Sequence, residues 1–304
     1  KSMKTENGQF MITGGSGFIG AYVAELLLAQ KAARVVLFDK VMNESNVAGL
    51  RRDSRVTFVE GDLLDSDALQ KASRGVNGIF HMAVLPLGPC DKDPQLAFEV
   101  NIRGTFCVVQ EAIRSGAGKL VYSSASSVYG DTLAVMDEQH VLNARSMYGV
   151  SKLCGELLLR PFESKLPFAV VRYMNVYGPR QVGGLIPAVL GKIRAGQAPA
   201  INGDGSASFD FVHVRDVARC TVLAMSSDVS GEAFNVGSGT EVTVKDITMK
   251  LLELCQSPLK PVYQPQAAGA MIRRVGSSEK AKRLLGFQAQ TTLHQGLEEL
   301  TKEL

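Results

Sequence analysis

Short apolar, β-branched runs at residues 10–13, 35–38, 56–60, 78–81, 120–123 and 168–172 alternate with longer amphipathic stretches, and this rhythm is the strongest constraint on the fold. Residues 19–30 carry Ile19, Val23, Leu26 and Leu27 at helical spacing, and residues 94–115 do the same with Ala97, Val100, Val108, Val109 and Ala112. Strands that alternate with helices pair in parallel through right-handed crossovers. The rhythm predicts an α/β chain built on a doubly wound parallel sheet with both faces covered. Beyond Pro179 it is broken by Gly183–Gly184, Pro187, Gly196, Pro199 and the turn-forming residues 202–208, so a smaller mixed α/β lobe is expected there. Runs at 211–214 and 233–236 read as strands that return to the sheet or its edge. The expected division is residues 1–178, with a returning segment at about 209–238, for the first domain, and 179–208 with 239–304 for the lobe.

A chain of 304 residues, 45% hydrophobic, has enough apolar side chain for a core without staples. Its 33 basic and 30 acidic residues nearly balance, with no basic run interleaved with aromatics, so a nucleic-acid partner is not expected. Cys90, Cys107, Cys154, Cys220 and Cys255 are odd in number and in no ligand spacing, which argues against a disulfide framework and a zinc site. No apolar stretch approaches the roughly 18 residues of a membrane span, and the first residues lack the apolar segment of a signal peptide. A cytoplasmic protein with a small-molecule partner is expected.

The first strand runs directly into Gly14-Gly15-Ser16-Gly17-Phe18-Ile19-Gly20 and then a helix, the setting in which glycines make a phosphate site. Gly14 permits the tight turn, Gly17 admits a pyrophosphate to the backbone, and Gly20 lets helix and strand pack closely. Asp39, at the end of the second strand, is placed to accept hydrogen bonds from ribose hydroxyls and to repel a 2′-phosphate, which favours NAD over NADP. Lys40 follows it and could soften that preference. Asp62 closes the third strand, where it meets an adenine edge or caps the segment that follows.

Tyr148 and Lys152 are four apart, on one face of a helix. A tyrosine with its ordinary pKa near about 10 is a poor base. A neighbouring ammonium favours the phenolate and makes the pair an acid–base device.

With the glycine loop and this pair, the segment 123–130 resembles the extended short-chain dehydrogenase/reductases, and specifically their NAD-dependent nucleotide-sugar epimerase and dehydratase family. His81-Met82-Ala83, Asn101–Thr105, Arg172–Arg180, Asn202–Gly205 and Asp210–Ala218 are further echoes, and the likeness spans nearly the whole chain. It implies a Rossmann sheet holding NAD among Gly14, Gly17, Phe18, Ile19, Gly20, Asp39, Lys40, Asp62, Leu63, Ala83, Asn101, Tyr148 and Lys152. It also implies a homodimer through the helices of residues 101–115 and 148–161.

The departures bear on the reaction. The family's Ser or Thr, four residues before the Tyr of Val-Tyr-Gly, is Ala125 here; Ser124 and Ser126 are the hydroxyls that stand in, with Ser126 preferred. Dehydratases of the family carry Asp-Glu next, and decarboxylases a Glu, where this chain has Ser126-Ser127. Elimination needs a separate acid and base, so both reactions are disfavoured. The family's phosphate-gripping arginine before Asp210 is Phe209, leaving Arg273 and Arg274 as its replacements. Asn175, Arg180, Phe209 and Arg273 are the expected substrate contacts. The reading that follows is a 4-epimerase for a UDP-linked hexose or hexuronate. A keto-sugar reductase or a dehydratase is the alternative, and a noncatalytic NAD-binding regulator the rival outside enzymology.

Overall fold

The computed structural model describes residues 3–266 and 271–302. Seven strands form the main sheet: β1 (Gln9–Thr13), β2 (Arg34–Asp39), β3 (Val56–Glu60), β4 (Gly78–His81), β5 (Lys119–Ala125), β6 (Phe168–Tyr173) and, after a long excursion, Glu232–Val236. All pair in parallel. From one edge, the order is Glu232–Val236, β6, β5, β4, β1, β2, β3. The order reverses between β1 and β4, and a crevice opens at the carboxyl ends of strands at such a switch point.

Alternating side chains explain why both faces are covered. Phe10, Ile12, Val35 and Leu37 belong to one buried cluster, Met11, Val36 and Phe38 to another. Helices Phe18–Ala29 and Val214–Ser226 pack together on the first face, and Gly104–Ser115 with Met147–Leu159 lie on the second. The expected helix over 94–115 is a turn at Pro94–Ala97, a π-helical segment Phe98–Arg103 and the helix Gly104–Ser115.

After β6 the chain leaves the main sheet at Met174, whose amide bonds Val236 O, and starts β7 (Asn175–Tyr177). The remaining strands are β8 (Ala200–Asn202), β9 (Ser208–His213), β10 (Glu232–Val236), β11 (Glu241–Thr243), β12 (Val262–Gln264) and β13 (Arg273–Arg274). The run expected at 211–214 belongs to β9, which does not return to the main sheet. It pairs with β7, β11 and β13 in a second sheet, while β10 returns beside β6. Tyr177, Phe209 and Phe211 of this sheet pack with helices Leu185–Arg194, Val244–Leu254 and Leu293–Lys302 into a separate apolar cluster. No helix among the described residues is long and apolar enough to cross a membrane.

Candidate active site

At the switch point, a cavity of about 620 Å³ is walled by Gly14, Gly17, Phe18, Ile19, Gly20, Asp39, Lys40, Asp62, Leu63, Ala83, Tyr148 and Lys152, with Ser123 and Ser124 at one end. Helix Phe18–Ala29 begins at Gly17 with no side-chain cap, so its first amides are free to meet an anion. Two glycines are obligatory. Gly14 has φ +65°, and a Cβ there would lie 2.7 Å from Ala83 N; a Cβ on Gly20 would lie 2.3 Å from Gly14 O.

Ser16, which sequence reasoning passed over, holds the acid of the second strand. Its amide and hydroxyl donate to Asp39 Oδ2 at 3.1 and 2.7 Å, and the Lys40 amide donates to Oδ1 at 2.9 Å. A small hydroxyl inside the glycine loop, followed by an acid closing the next strand, was the available signal. Lys40 Nζ lies 2.9 Å from Asp62 Oδ2 across the cavity rim, so its charge is already shared. Asp62 accepts from the Leu64 amide but does not cap the next helix; Asp65 does.

Asn101 does not line the cavity. It is 2% exposed, accepts from the Leu85 amide at 2.7 Å, and donates to Leu85 O and Ser151 Oγ. It lies in the π-helical segment and ties the loop at Leu85 to the Tyr148 helix. His81 is similarly structural. Thr13 Oγ accepts from the Met82 and Ala83 amides and so gives its proton to His81 Nδ1, 2.6 Å away. Nε2 then donates to Thr105 Oγ, which donates to Asn101 O. Burial lowers this imidazole to about 3, so it stays neutral and fixes the end of β4.

Ser146 caps helix Met147–Leu159 by accepting from the Gly149 amide at 3.1 Å, which places Tyr148 in the first turn and Lys152 one turn on. Lys152 Nζ donates to Ser123 O at 2.6 Å and stands 5.9 Å from the Tyr148 ring centre. Burial dominates both groups, pushing Tyr148 up to about 12 and Lys152 down to about 7. The ammonium therefore does not by itself make a phenolate here, contrary to the simple expectation from spacing; Arg274 is the cation that lowers Tyr148.

Among the serines, Ser124 reaches the cavity wall while Ser126 does not; Ser126 is buried in the turn Ser126–Tyr129. The Ser124 hydroxyl donates to Glu156, whose carboxylate is forked by Arg172 at 2.6 and 3.0 Å. Ser127 has a buried Oγ with no partner among the described residues.

A second cavity, of about 400 Å³, lies over the second sheet, with Asn175, Gln181, Phe209, Phe211 and Met271 in its wall. Tyr173 lines the first cavity and its neighbour Met174 the second. Asn175 Nδ2 and Gln181 Oε1 are buried and have no hydrogen-bond partner among the described residues, as groups that meet a polar ligand do. None of the residues lining it is charged.

Two expected substrate arginines are engaged elsewhere. Arg180, at φ +70°, forks Glu25 at 2.8 and 3.0 Å, donates to Asn46 O and lies 3.8 Å over the Tyr22 ring. Arg273 forks Glu241 at 2.7 Å through both Nε and Nη2, and also bonds Leu133 O. Partner choice in three dimensions, invisible to spacing, removes both from the cavity.

Residues 10–237 match the family described as NAD dependent epimerase/dehydratase. The chain is 30% identical over 298 residues to a UDP-glucose 4-epimerase of Mycolicibacterium smegmatis, covering 94% of this chain and 95% of the relative. A solved UDP-glucuronic acid 4-epimerase of Bacillus cereus, in complex with UDP-glucuronic acid and NAD, superposes with TM-score 0.91 at 27% identity, covering 97% of this chain and 98% of that one. A dTDP-glucose 4,6-dehydratase of Streptomyces venezuelae with NAD bound gives TM-score 0.91 at 29% identity, over 96% of this chain and 95% of its own. With this match over most of its length, the chain belongs to the NAD dependent epimerase/dehydratase family.

Proposed function

We propose that the protein is a nucleotide-sugar 4-epimerase that keeps NAD through its cycle and acts on a UDP-linked hexose or hexuronate. The observation that carries this reading is the placing of Tyr148 and Lys152 in the wall of the cavity built on the glycine cradle, with a second cavity over the neighbouring sheet lined by Asn175 and Phe209. The residues fit the cofactor: free amides at residues 18–20 suit the pyrophosphate, and Asp39 suits a ribose diol. Bound there, NAD would supply a hydride acceptor and donor for the sugar carbon.

The chain's own residues handle the proton. Tyr148 takes it from the sugar hydroxyl and gives it back, helped by Arg274, the cation that lowers it, while Lys152, anchored on Ser123 O, is placed to hydrogen-bond the nicotinamide ribose. Ser124 has donated its own proton to Glu156, so its oxygen is left as an acceptor for a substrate hydroxyl, which makes it a better stand-in for the absent hydroxyl at Ala125 than Ser126. Asn175 holds the substrate with its unpartnered amide. A dehydratase would need carboxylates where Ser126 and Ser127 stand, and a reductase would release its cofactor each cycle.

The reading assigns the cofactor to the main sheet, whose last strand is Glu232–Val236, and the nucleotide sugar to the second sheet, where Asn175, Phe209 and Phe211 line the cavity. A homodimer fits the apolar surface of the two helical regions, where Phe98, Val150 and Leu157 are 45%, 40% and 50% exposed. Five free cysteines fit a reducing cytoplasm. The test is to denature purified protein, identify the released dinucleotide by mass spectrometry, and follow UDP-sugars by proton NMR with no cofactor added. Stoichiometric NAD with interconversion of two epimers is expected. An empty protein that turns over only with added NAD(P)H would give the function to the reductase.

A further inference from the structure

Arg180 is a non-glycine residue in the left-handed region, at φ +70°, and such a conformation persists only where surrounding contacts offset its cost. Asn7, Lys31 and Gln256, the other non-glycines of positive φ among the described residues, lie in exposed turns. Arg180 is partly buried and held from several sides. Its guanidinium forks Glu25, lies over the Tyr22 ring and donates to Asn46 O at 2.9 Å, while Tyr22 Oη donates to Pro179 O at 3.3 Å. The segment that leads from β7 to Gln181, in the wall of the second cavity, is thus fastened to helix Phe18–Ala29 and to the short helix Glu44–Val47.

Asn46 carries the connection inward. It is 5% exposed, and its side-chain amide donates to Ser16 O at 2.9 Å, inside the glycine loop. The Ser16 hydroxyl accepts from the Asn43 amide at 3.0 Å and donates to Asp39 Oδ2. Residues 43–47 are therefore pinned between Ser16 on one side and Arg180 on the other. A single helical turn with no side-chain cap has little stability of its own, so the buried Val47 and these two attachments hold it in place. Gly14, Gly17, Gly20 and Asp39 line the first cavity, whereas Arg180, Glu25, Asn46 and Ser16 line neither. Any effect of Arg180 on a bound dinucleotide passes through Asn46 and Ser16.

We propose that Arg180 is a latch on the cofactor cavity. It is a positioning residue that, through Asn46 and Ser16, holds the glycine loop and Asp39 in the shape that grips NAD, and so slows the escape of NAD between turnovers. This rests on the retained-NAD reading above and names the residue that confers the retention. A dinucleotide seated on the free amides of the loop and on Asp39 leaves only when they yield, so fastening them acts on the dissociation rate.

The test loads wild type, Arg180→Gln, Arg180→Gly, Asn46→Ala and the double variant Arg180→Gly/Asn46→Ala with NAD. Each is chased with excess deuterated NAD, and the bound isotope is followed by mass spectrometry. Glycine adopts a left-handed φ freely, so Arg180→Gly removes the guanidinium without disturbing the backbone. Both Arg180 variants are expected to release NAD about tenfold faster or more, with the affinity of the loaded protein for UDP unchanged. Asn46→Ala is expected to do the same, and the double variant to release NAD no faster than the faster single, because the two residues act in one chain of contacts. Exchange at the wild-type rate in either Arg180 variant overturns the latch, and so does a double variant whose acceleration is the product of the two singles. A wild-type protein that takes up no NAD fails at the cofactor reading itself, before Arg180 is in question.

Discussion

The two cavities differ in what builds them. The one at the switch point is made from backbone and strand ends: glycines that admit no Cβ, free amides of one helix, and acids that close β2 and β3. The one over the second sheet is made from side chains on short strands, and its wall carries no charge. Backbone geometry follows from local spacing, whereas a side chain's partner depends on which elements the fold brings near. The first cavity is accordingly specified by motif, and the second by which side chains the short strands bring together.

Replacing Tyr148 by Phe is the largest intervention on this contrast, because it removes the proton carrier without altering either wall. Turnover should fall about 10²- to 10⁴-fold with NAD content and UDP affinity unchanged. Activity within a factor of a few of wild type would move the chemistry away from the first cavity.

Glu156→Ala comes next and strikes the support behind that cavity. Arg172 and Glu156 are 2% and 3% exposed at the side chain, so the variant strands a guanidinium in the core. A loss of about 3–5 kcal/mol in denaturant unfolding is expected. A loss below about 1 kcal/mol would mean that the pair is not the buried brace described here.

Lys152 sharpens the comparison through pH. In the protein stripped of NAD, burial holds Lys152 near 7, below its ordinary value, so above that pH the unfolded chain binds the extra proton. Stability of wild type relative to Lys152→Met should then rise from pH 7 toward about 10, by at most about 1.4 kcal/mol per pH unit. A flat or falling difference in chemical denaturation across that window would contradict the burial.

The smallest effect is expected at Arg180→Gln. It loses a partly exposed ion pair with Glu25 and a stack on Tyr22, so melting should drop by the equivalent of about 1 kcal/mol while KM stays put. A raised KM would return Arg180 to the substrate site.

Much of the fold was legible because period and punctuation are local. The six apolar runs are the first six strands of the main sheet, and the glycine loop, Asp39, Tyr148 and Lys152 come together as their spacing implied. What escaped was tertiary. The run at 211–214 was expected to rejoin the sheet, but the chain turns off at Met174 and β7 captures it. Asn101 sits among cofactor echoes in sequence yet spends its amide on Leu85 and Ser151. Arg273 and Arg274 are neighbours whose fates differ only because a strand alternates its faces.

The most direct test follows a deuterium at C4 of UDP-glucose through the purified protein with no cofactor added, read by NMR of the product. The account predicts a C4 epimer with its deuterium still at C4. Deuterium at C6 of a keto-deoxy product would contradict it in favour of dehydration, and loss of the label would show that the hydride is not kept on the enzyme.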